Sequence, residues 1–206
     1  MAYLDTSEYE QYGLSEKTPE ALVAAASELI DAHCRRTTLA VAQYTERFRL
    51  RKANAVRLSY LPLVVTDGAN SAIVQMRTRC GTASRDWFDM EPLQRELQAF
   101  ATPGIWQAQD VSNLDVNATT GEVLFGSSVL GFPASEVELT YTAGYAITPE
   151  QVKQACAMVV RNALATPALN VRASNVDRLH MQYFSDSLLD ANVKEMLTQY
   201  VAQKVG

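Results

Sequence analysis

From Leu22 onward the positions Leu22, Ala25, Ala26, Leu29, Ile30 and His33 recur at three- and four-residue steps, the spacing of one face of a helix. Thr18-Pro19-Glu20 marks its start: Thr18 can cap free N–H groups, Pro19 suits the first helical position, and Glu20 sits near the positive end. Arg35 and Arg36 suit the negative end, so the helix is predicted to run to about residue 36. After Leu39 the period falls to two. Tyr44, Phe48 and Leu50 share one parity while Thr45, Arg47, Arg49 and Arg51 share the other, which predicts a strand with one wet, basic face. Further strands are predicted at Val56–Tyr60, Leu63–Thr66 and Ala72–Arg77, with Asp67-Gly68-Ala69-Asn70 turning between the last two.

Residues 81–110 keep no period; they read as an excursion with aromatic anchors (Trp87, Phe88, Phe100, Trp106) and a short helix at Glu91–Ala101. Leu114–Val116 and Glu122–Phe125 flank Asn117–Gly121 as a hairpin in which Gly121 takes positive φ. Val137, Leu139 and Tyr141 then alternate with Glu136, Glu138 and Thr140 as an amphipathic strand, which Gly144-Tyr145 breaks. Thr148-Pro149-Glu150-Gln151 has the capping-box pattern and opens a second helix, with Val152, Ala155, Cys156, Val159, Val160, Ala163 and Leu164 as its stripe and Pro167 as its stop. Three large apolar side chains of that stripe contribute about 5–9 kcal/mol when buried, whereas ordering the segment costs about 16–32 kcal/mol, so the helix must pack on others. Residues 167–187 read as extended or linking. A closing helix carries Leu189, Val193, Met196, Leu197, Tyr200 and Val201 on one side, a face that docks either on its own domain or on a neighbour.

Together these elements predict an α+β fold in one domain. Helices near 19–36, 149–165 and 188–203 form a small bundle (core about 15–38 and 146–206), and a strand-rich antiparallel lobe, about 40–145, is inserted between the first and second.

Composition adds three constraints. With 206 residues, 48% hydrophobic and 20% charged, the chain is long and apolar enough for one core. It has no run approaching the roughly 20 apolar residues that span a bilayer, and acids stand near its N-terminus where a signal peptide would carry bases, so it is expected to be made and kept in the cytoplasm, with no membrane partner. Cys34, Cys80 and Cys156 are too few and too dispersed for a disulfide framework or a metal knuckle and read as core fillers. The net charge of −5 is segregated: residues 1–31 hold seven acids against Lys17 alone, residues 35–57 are strongly basic, and residues 110–150 hold six acids and no Lys or Arg. Such a subunit can pair its own copies side to side or turn the basic face to a polyanion.

Three passages resemble the head-tail connector, or head-completion adaptor, family of long-tailed bacteriophages. Ala24–Arg36 looks like that family's opening helix with its Cys-(Gly/Arg)-Arg turn. Val137–Tyr145, ending Tyr141-Thr142-Ala143-Gly144-Tyr145 and followed by Ile147–Ala155, is similar to its core, in which we read an edge-forming strand passing through a Gly turn into a capped helix. Tyr183–Tyr200 resembles its closing segment. The resemblance implies a structural virion protein: a ring, typically of twelve copies, at the virion neck, assembled in the host cytoplasm. Such a ring docks on the portal protein, binds a tail-completion or stopper protein on its other side, and encloses the DNA exit channel with transient, non-specific contact to passing DNA. Residues 81–110 depart from the pattern.

Chemistry points the same way. His33 and His180 lack ligand-spaced partners, no HExxH, GxSxG, P-loop or GxGxxG motif occurs, and Gly126–Gly131 lacks the spacing of a nucleophile elbow, so neither an enzyme nor a cofactor is expected. Glu136 and Glu138 read as solvated acids on one strand face. Arg47, Arg49 and Arg51, about 6.6 Å apart at alternate positions, are with the adjacent Lys52 the candidate DNA-channel or subunit-interface residues. Leu189, Val193, Met196, Leu197, Tyr200 and Val201, or the acidic 1–31 segment, are the candidates for gripping the portal or a neighbour. Two alternatives stand beside the connector: a DNA-packaging or DNA-binding accessory protein using residues 35–57, and a tail-terminator or stopper protein of the neck.

Overall fold

The two long helices open on the same tripeptide, Thr-Pro-Glu, and in both the proline carbonyl receives the first turn: Pro19 O accepts from Leu22 N at 2.9 Å, and Pro149 O from Val152 N at 2.9 Å and Lys153 N at 3.2 Å. They are α1, Glu20–Cys34, and α2, Glu150–Ala165, and a shorter α3, Ala191–Leu197, continues as a 3-10 turn, Thr198–Tyr200. The computed structural model describes residues 2–50, 55–65, 71–79, 104–112, 114–125, 134–165, 173–176, 179–182 and 188–203. Among them, strands follow at β1 (Ala42–Arg49), β2 (Ala55–Arg57), β3 (Ile73–Arg79), β4 (Gln107–Gln109), β5 (Asp115–Asn117), β6 (Glu122–Leu124), β7 (Glu136–Ala143), β8 (Ala173–Val176) and β9 (Leu179–Gln182). The fold is α+β, with a three-helix group and antiparallel sheets, and the strand-rich region β1–β7 lies between α1 and α2 in the chain. The chain divides into two compact units: Met1–Ala40 with Tyr145–Ala202, and Val41–Gly144 with Gln203–Gly206.

In the helical unit α2 packs against α1 and α3, around Val23, Ile30, Cys34, Val152, Cys156, Val160, Val193 and Leu197. Tyr3, Leu4, Tyr9 and Leu14 of the N-terminal segment join this core. Two local details differ from the sequence reading. Thr18 does not cap α1: its hydroxyl is buried and has no hydrogen-bond partner among the described residues, because Pro19 takes the cap position. Gln151 does not close a capping box either, since its Oε1 accepts from Gln199 and, at 3.1 Å, from the Tyr200 hydroxyl.

The buried face of α1 is also rotated, to Val23, Ala26, Ser27, Ile30 and Cys34, leaving Ala25 exposed and Leu29 38% exposed. Ser27 permits this shift: its hydroxyl donates to Val23 O at 2.8 Å and accepts from Tyr3 N at 3.1 Å, so a polar side chain is buried at little cost. Arg35 ends α1 in the left-handed conformation (φ 56°), and Arg36 N donates back to Asp31 O at 3.1 Å. β8 and β9 form a hairpin inside the stretch read as extended or linking, so its described part is extended. α3 begins one turn later than expected, where Asp190 caps it by accepting from Val193 N at 2.8 Å.

In the strand unit the main sheet has the order β1-β7-β3-β4, and β2-β6-β5 form a second sheet. β7 is therefore an interior strand and not the edge-forming one expected: it pairs with β1 from Ala42↔Ala143 to Arg49↔Glu136 and with β3 from Ile73↔Tyr141 to Arg79↔Glu136. Its apolar parity forms the core of the unit: Val137, Leu139 and Tyr141 are fully buried beside Tyr44, Ile73 and Met76. Gly144 (φ 130°) ends β7 in a backbone conformation that L side chains rarely adopt. The β5–β6 hairpin forms as predicted, with Gly121 at φ 71° and its N–H on Asn117 O at 2.8 Å. The strand expected at Val56–Tyr60 is Ala55–Arg57, and the described part of that expected at Leu63–Thr66, residues 63–65, holds one bridge, Leu63↔Ala143. The turn Asp67–Asn70, the helix Glu91–Ala101 and the anchors Trp87, Phe88 and Phe100 lie outside the described residues.

Candidate interaction surface

Pairing in the main sheet places arginines on both sides of the β7 carboxylates. Arg49, Glu136 and Arg79 lie in register across β1, β7 and β3, and Arg47, Glu138 and Arg77 form the next row. The side chains draw together around Glu136: Arg47 Nη2 reaches Glu136 Oε2 at 2.5 Å, Arg79 pairs with the same oxygen, and Arg49 Nε stands 3.7 Å from Oε1. Arg77 Nη1 is 3.7 Å from Glu138. The Arg47 hydrogen bond, and then the charge of Arg79, hold the Glu136 carboxyl below its usual range. Trp106, in the run before β4, completes the cluster: the guanidinium carbons of Arg47 and Arg79 lie 4.8 and 5.1 Å from its ring centre.

This changes the reading of several residues. Arg47 and Arg49 lie on the wet face of β1 as alternation predicts, but they belong to an arginine–glutamate lattice and not to a free basic strip. Glu136, expected to be solvated, has an 11% exposed side chain held by three arginines. Arg51 and Lys52 lie outside the described residues. The sequence reading gave Arg77 and Arg79 no role, and it read Trp106 as an aromatic anchor without tying it to this face. The Arg-x-Arg spacing of Arg77 and Arg79 repeats that of Arg47 and Arg49 and could have flagged them; nothing local ties Trp106 to the arginines.

The closing-helix face lies against its own unit. Val193, Leu197 and Tyr200 are buried, Leu189 packs on the same core, and Met196 and Val201 are half-buried. Edge-on packing of Tyr200 on Tyr145, with ring centres 5.6 Å apart, fixes the segment. Self-docking, the first of the two occupants the sequence allowed, is the one observed. The acidic N-terminal segment is likewise tied to its unit, through Tyr3 donating to Asp31, Tyr12 to Glu150, and the Lys153–Glu8 ion pair.

Other chemistry is sparse. Cys34 and Cys156 are buried, and burial pushes the Cys34 thiol up to about 11, leaving it without thiolate character; Cys80 and Gly126–Gly131 lie outside the described residues. Among the described residues no group of His, Cys, Asp and Glu is arranged to hold a metal ion, and no helix is long and apolar enough to cross a membrane. A cleft of about 700 Å³ in the strand unit is lined mainly by apolar side chains, among them Leu63, Val74, Val111 and Leu114, with Ser71, Ser112 and Asp115 as its polar members. Against known proteins, no family model and no curated protein matches the chain.

Proposed function

We propose that this chain is a structural subunit of a bacteriophage neck, a head-tail connector that assembles into a ring between portal and tail and works through shape and self-contact. The support is the sequence resemblance together with one observation about the passage that carries most of it. In Val137–Ala155, Val137, Leu139, Tyr141, Ala143, Val152 and Ala155 are fully buried and Gly144 supplies the turn, so these shared residues serve as scaffold. A motif of that kind fits a protein selected for geometry. On this reading the protein resides at the neck of the virion after assembly in the host cytoplasm, with the portal and a tail-completion protein as its partners. The accessory DNA-binding alternative is weakened by the glutamates that engage Arg47 and Arg49. The test is native mass measurement and negative-stain imaging of the purified chain, alone and with the portal protein encoded in the same genome. Rings or a stoichiometric portal complex are expected; a monomer that ignores the portal would overturn the reading.

A further inference from the structure

The arginine face has properties of a docking surface beyond its role in the sheet. Four guanidinium groups, of Arg47, Arg49, Arg77 and Arg79, meet two carboxylates, Glu136 and Glu138, so positive charge is in excess. The excess is accessible: the Arg49 side chain is 89% exposed, and its nearest carboxylate oxygen is 3.7 Å away, leaving donors unengaged by a close hydrogen bond. It is also pre-organised. Glu136 and Trp106 hold Arg47 and Arg79 in place, so less side-chain entropy remains to be lost when a partner arrives. Arginine and tryptophan together are the residue types that most often anchor protein interfaces.

The opposite surface occurs on the helical unit. Asp5, Glu10, Glu16 and Glu20 are exposed, and Lys17 is the only base in residues 1–31. Buried Tyr3, Leu4, Tyr9 and Leu14 pin this segment to the core, so its carboxylates sit on an ordered ridge.

We infer that the arginine face of one copy receives the acidic ridge, residues 5–20, of a second copy. This rests on the self-assembly reading above and names the two surfaces that carry it. In both rows a β7 glutamate stands between the arginines of β1 and β3, so a polyanion laid across the face would meet both carboxylates, whereas discrete carboxylates can pair with the flanking arginines alone. The net charge of −5 likewise disfavours a polyanion over another protein surface. Because the two surfaces differ, the contact is head-to-tail and can propagate around a closed ring.

The experiment is sedimentation velocity on the full chain over a range of concentration and salt. Two double variants are compared with wild type: Arg49→Glu with Arg77→Glu, and Glu10→Arg with Glu16→Arg. Each is expected to weaken self-association about tenfold or more, and an equimolar mixture to recover it, since the reversed signs then meet. Thermal melts check folding, and Arg49→Glu alone, at the most exposed of the four arginines, serves if the double variant is unstable. Wild-type assembly that is indifferent to both reversals overturns this contact and leaves the connector reading standing; a wild type that stays monomeric removes both. Failure of the mixture to recover also overturns the pairing, and loss of labelled duplex DNA binding in the arginine variant would then name a polyanion as the occupant.

Discussion

Within the helical unit the buried hydroxyl of Ser27 finds its acceptor at short range, in Val23 O one turn earlier in its own helix, and it accepts in turn from Tyr3 N of the N-terminal segment. In the strand unit Glu46 is satisfied only by partners brought from elsewhere in the chain: the Tyr141 hydroxyl donates to it at 2.6 Å and Ser59 N at 2.9 Å, while Tyr60 N donates to the Tyr141 oxygen at 3.2 Å. Burial and the Glu46 hydrogen bond together push the Tyr141 hydroxyl far above its usual range, so it remains a proton donor at any ordinary pH. The contrast teaches where each unit stores its specificity. A helix can offer a buried hydroxyl an acceptor from its own backbone. A sheet satisfies a buried polar group only when distant strands pair in one register, and a slip by a single residue would carry Tyr141 to the wrong face.

The largest expected break of this comparison is Leu139→Ala. Leu139 is fully buried on the interior strand, and its truncation should cost about 2–5 kcal/mol in urea unfolding; a loss below about 1 kcal/mol would mean that β7 does not organise its unit. Tyr141→Phe keeps the ring and removes only the hydroxyl between Glu46 and Tyr60 N. It should cost about 1–3 kcal/mol, and a neutral result would show that the long-range network adds nothing to packing.

Acid titration sharpens the comparison next. Glu136, held down by Arg47 and Arg79, contributes stability that is complete above the ordinary carboxylate value and is lost as pH falls through its depressed one. Glu8 has the same sign in the helical unit, where the Lys153 hydrogen bond holds it down. Wild-type Tm should therefore fall between about pH 5 and pH 3, and Glu136→Gln should flatten that fall without abolishing it, because Glu8 remains. The smallest effects concern the helix starts. Asp190→Ala removes a formed cap and should cost about 1 kcal/mol, whereas Thr18→Val removes a buried hydroxyl with no partner among the described residues and should be neutral or slightly stabilising in the same melts.

Legibility followed the same divide. The wet and dry parities of β1 and the dry parity of β7 are plain because alternation is local, and the β5–β6 hairpin is plain because Gly121 marks it. The face of α1 was misjudged by about one residue, since hydropathy counts Ser27 as polar and cannot register that its hydroxyl bonds within the helix. β7 was taken for an edge strand because its partners come from distant stretches, β1 and β3, and no spacing within β7 records how many neighbours it has. The candidate surface was half visible for that reason. Arg47 and Arg49 stood out in the sequence, but their ties to Glu136 and Trp106 exist only once the strands have paired.

One further consequence follows from how the helical unit is closed. Ala40 bridges Tyr145, Tyr145 N donates to Leu39 O, and Ala202 N donates to Cys34 O, so two stretches made after β7 are hydrogen-bonded to the end of α1 and the segment that follows it. During synthesis α1 therefore leaves the ribosome with its apolar side bare, and α2 arrives only after every residue of β1 to β7 has been made. The nascent helix must wait, shielded by a chaperone or by provisional contacts, and a rare-codon pause ahead of residue 150 should aggravate aggregation more than the same pause placed after residue 202.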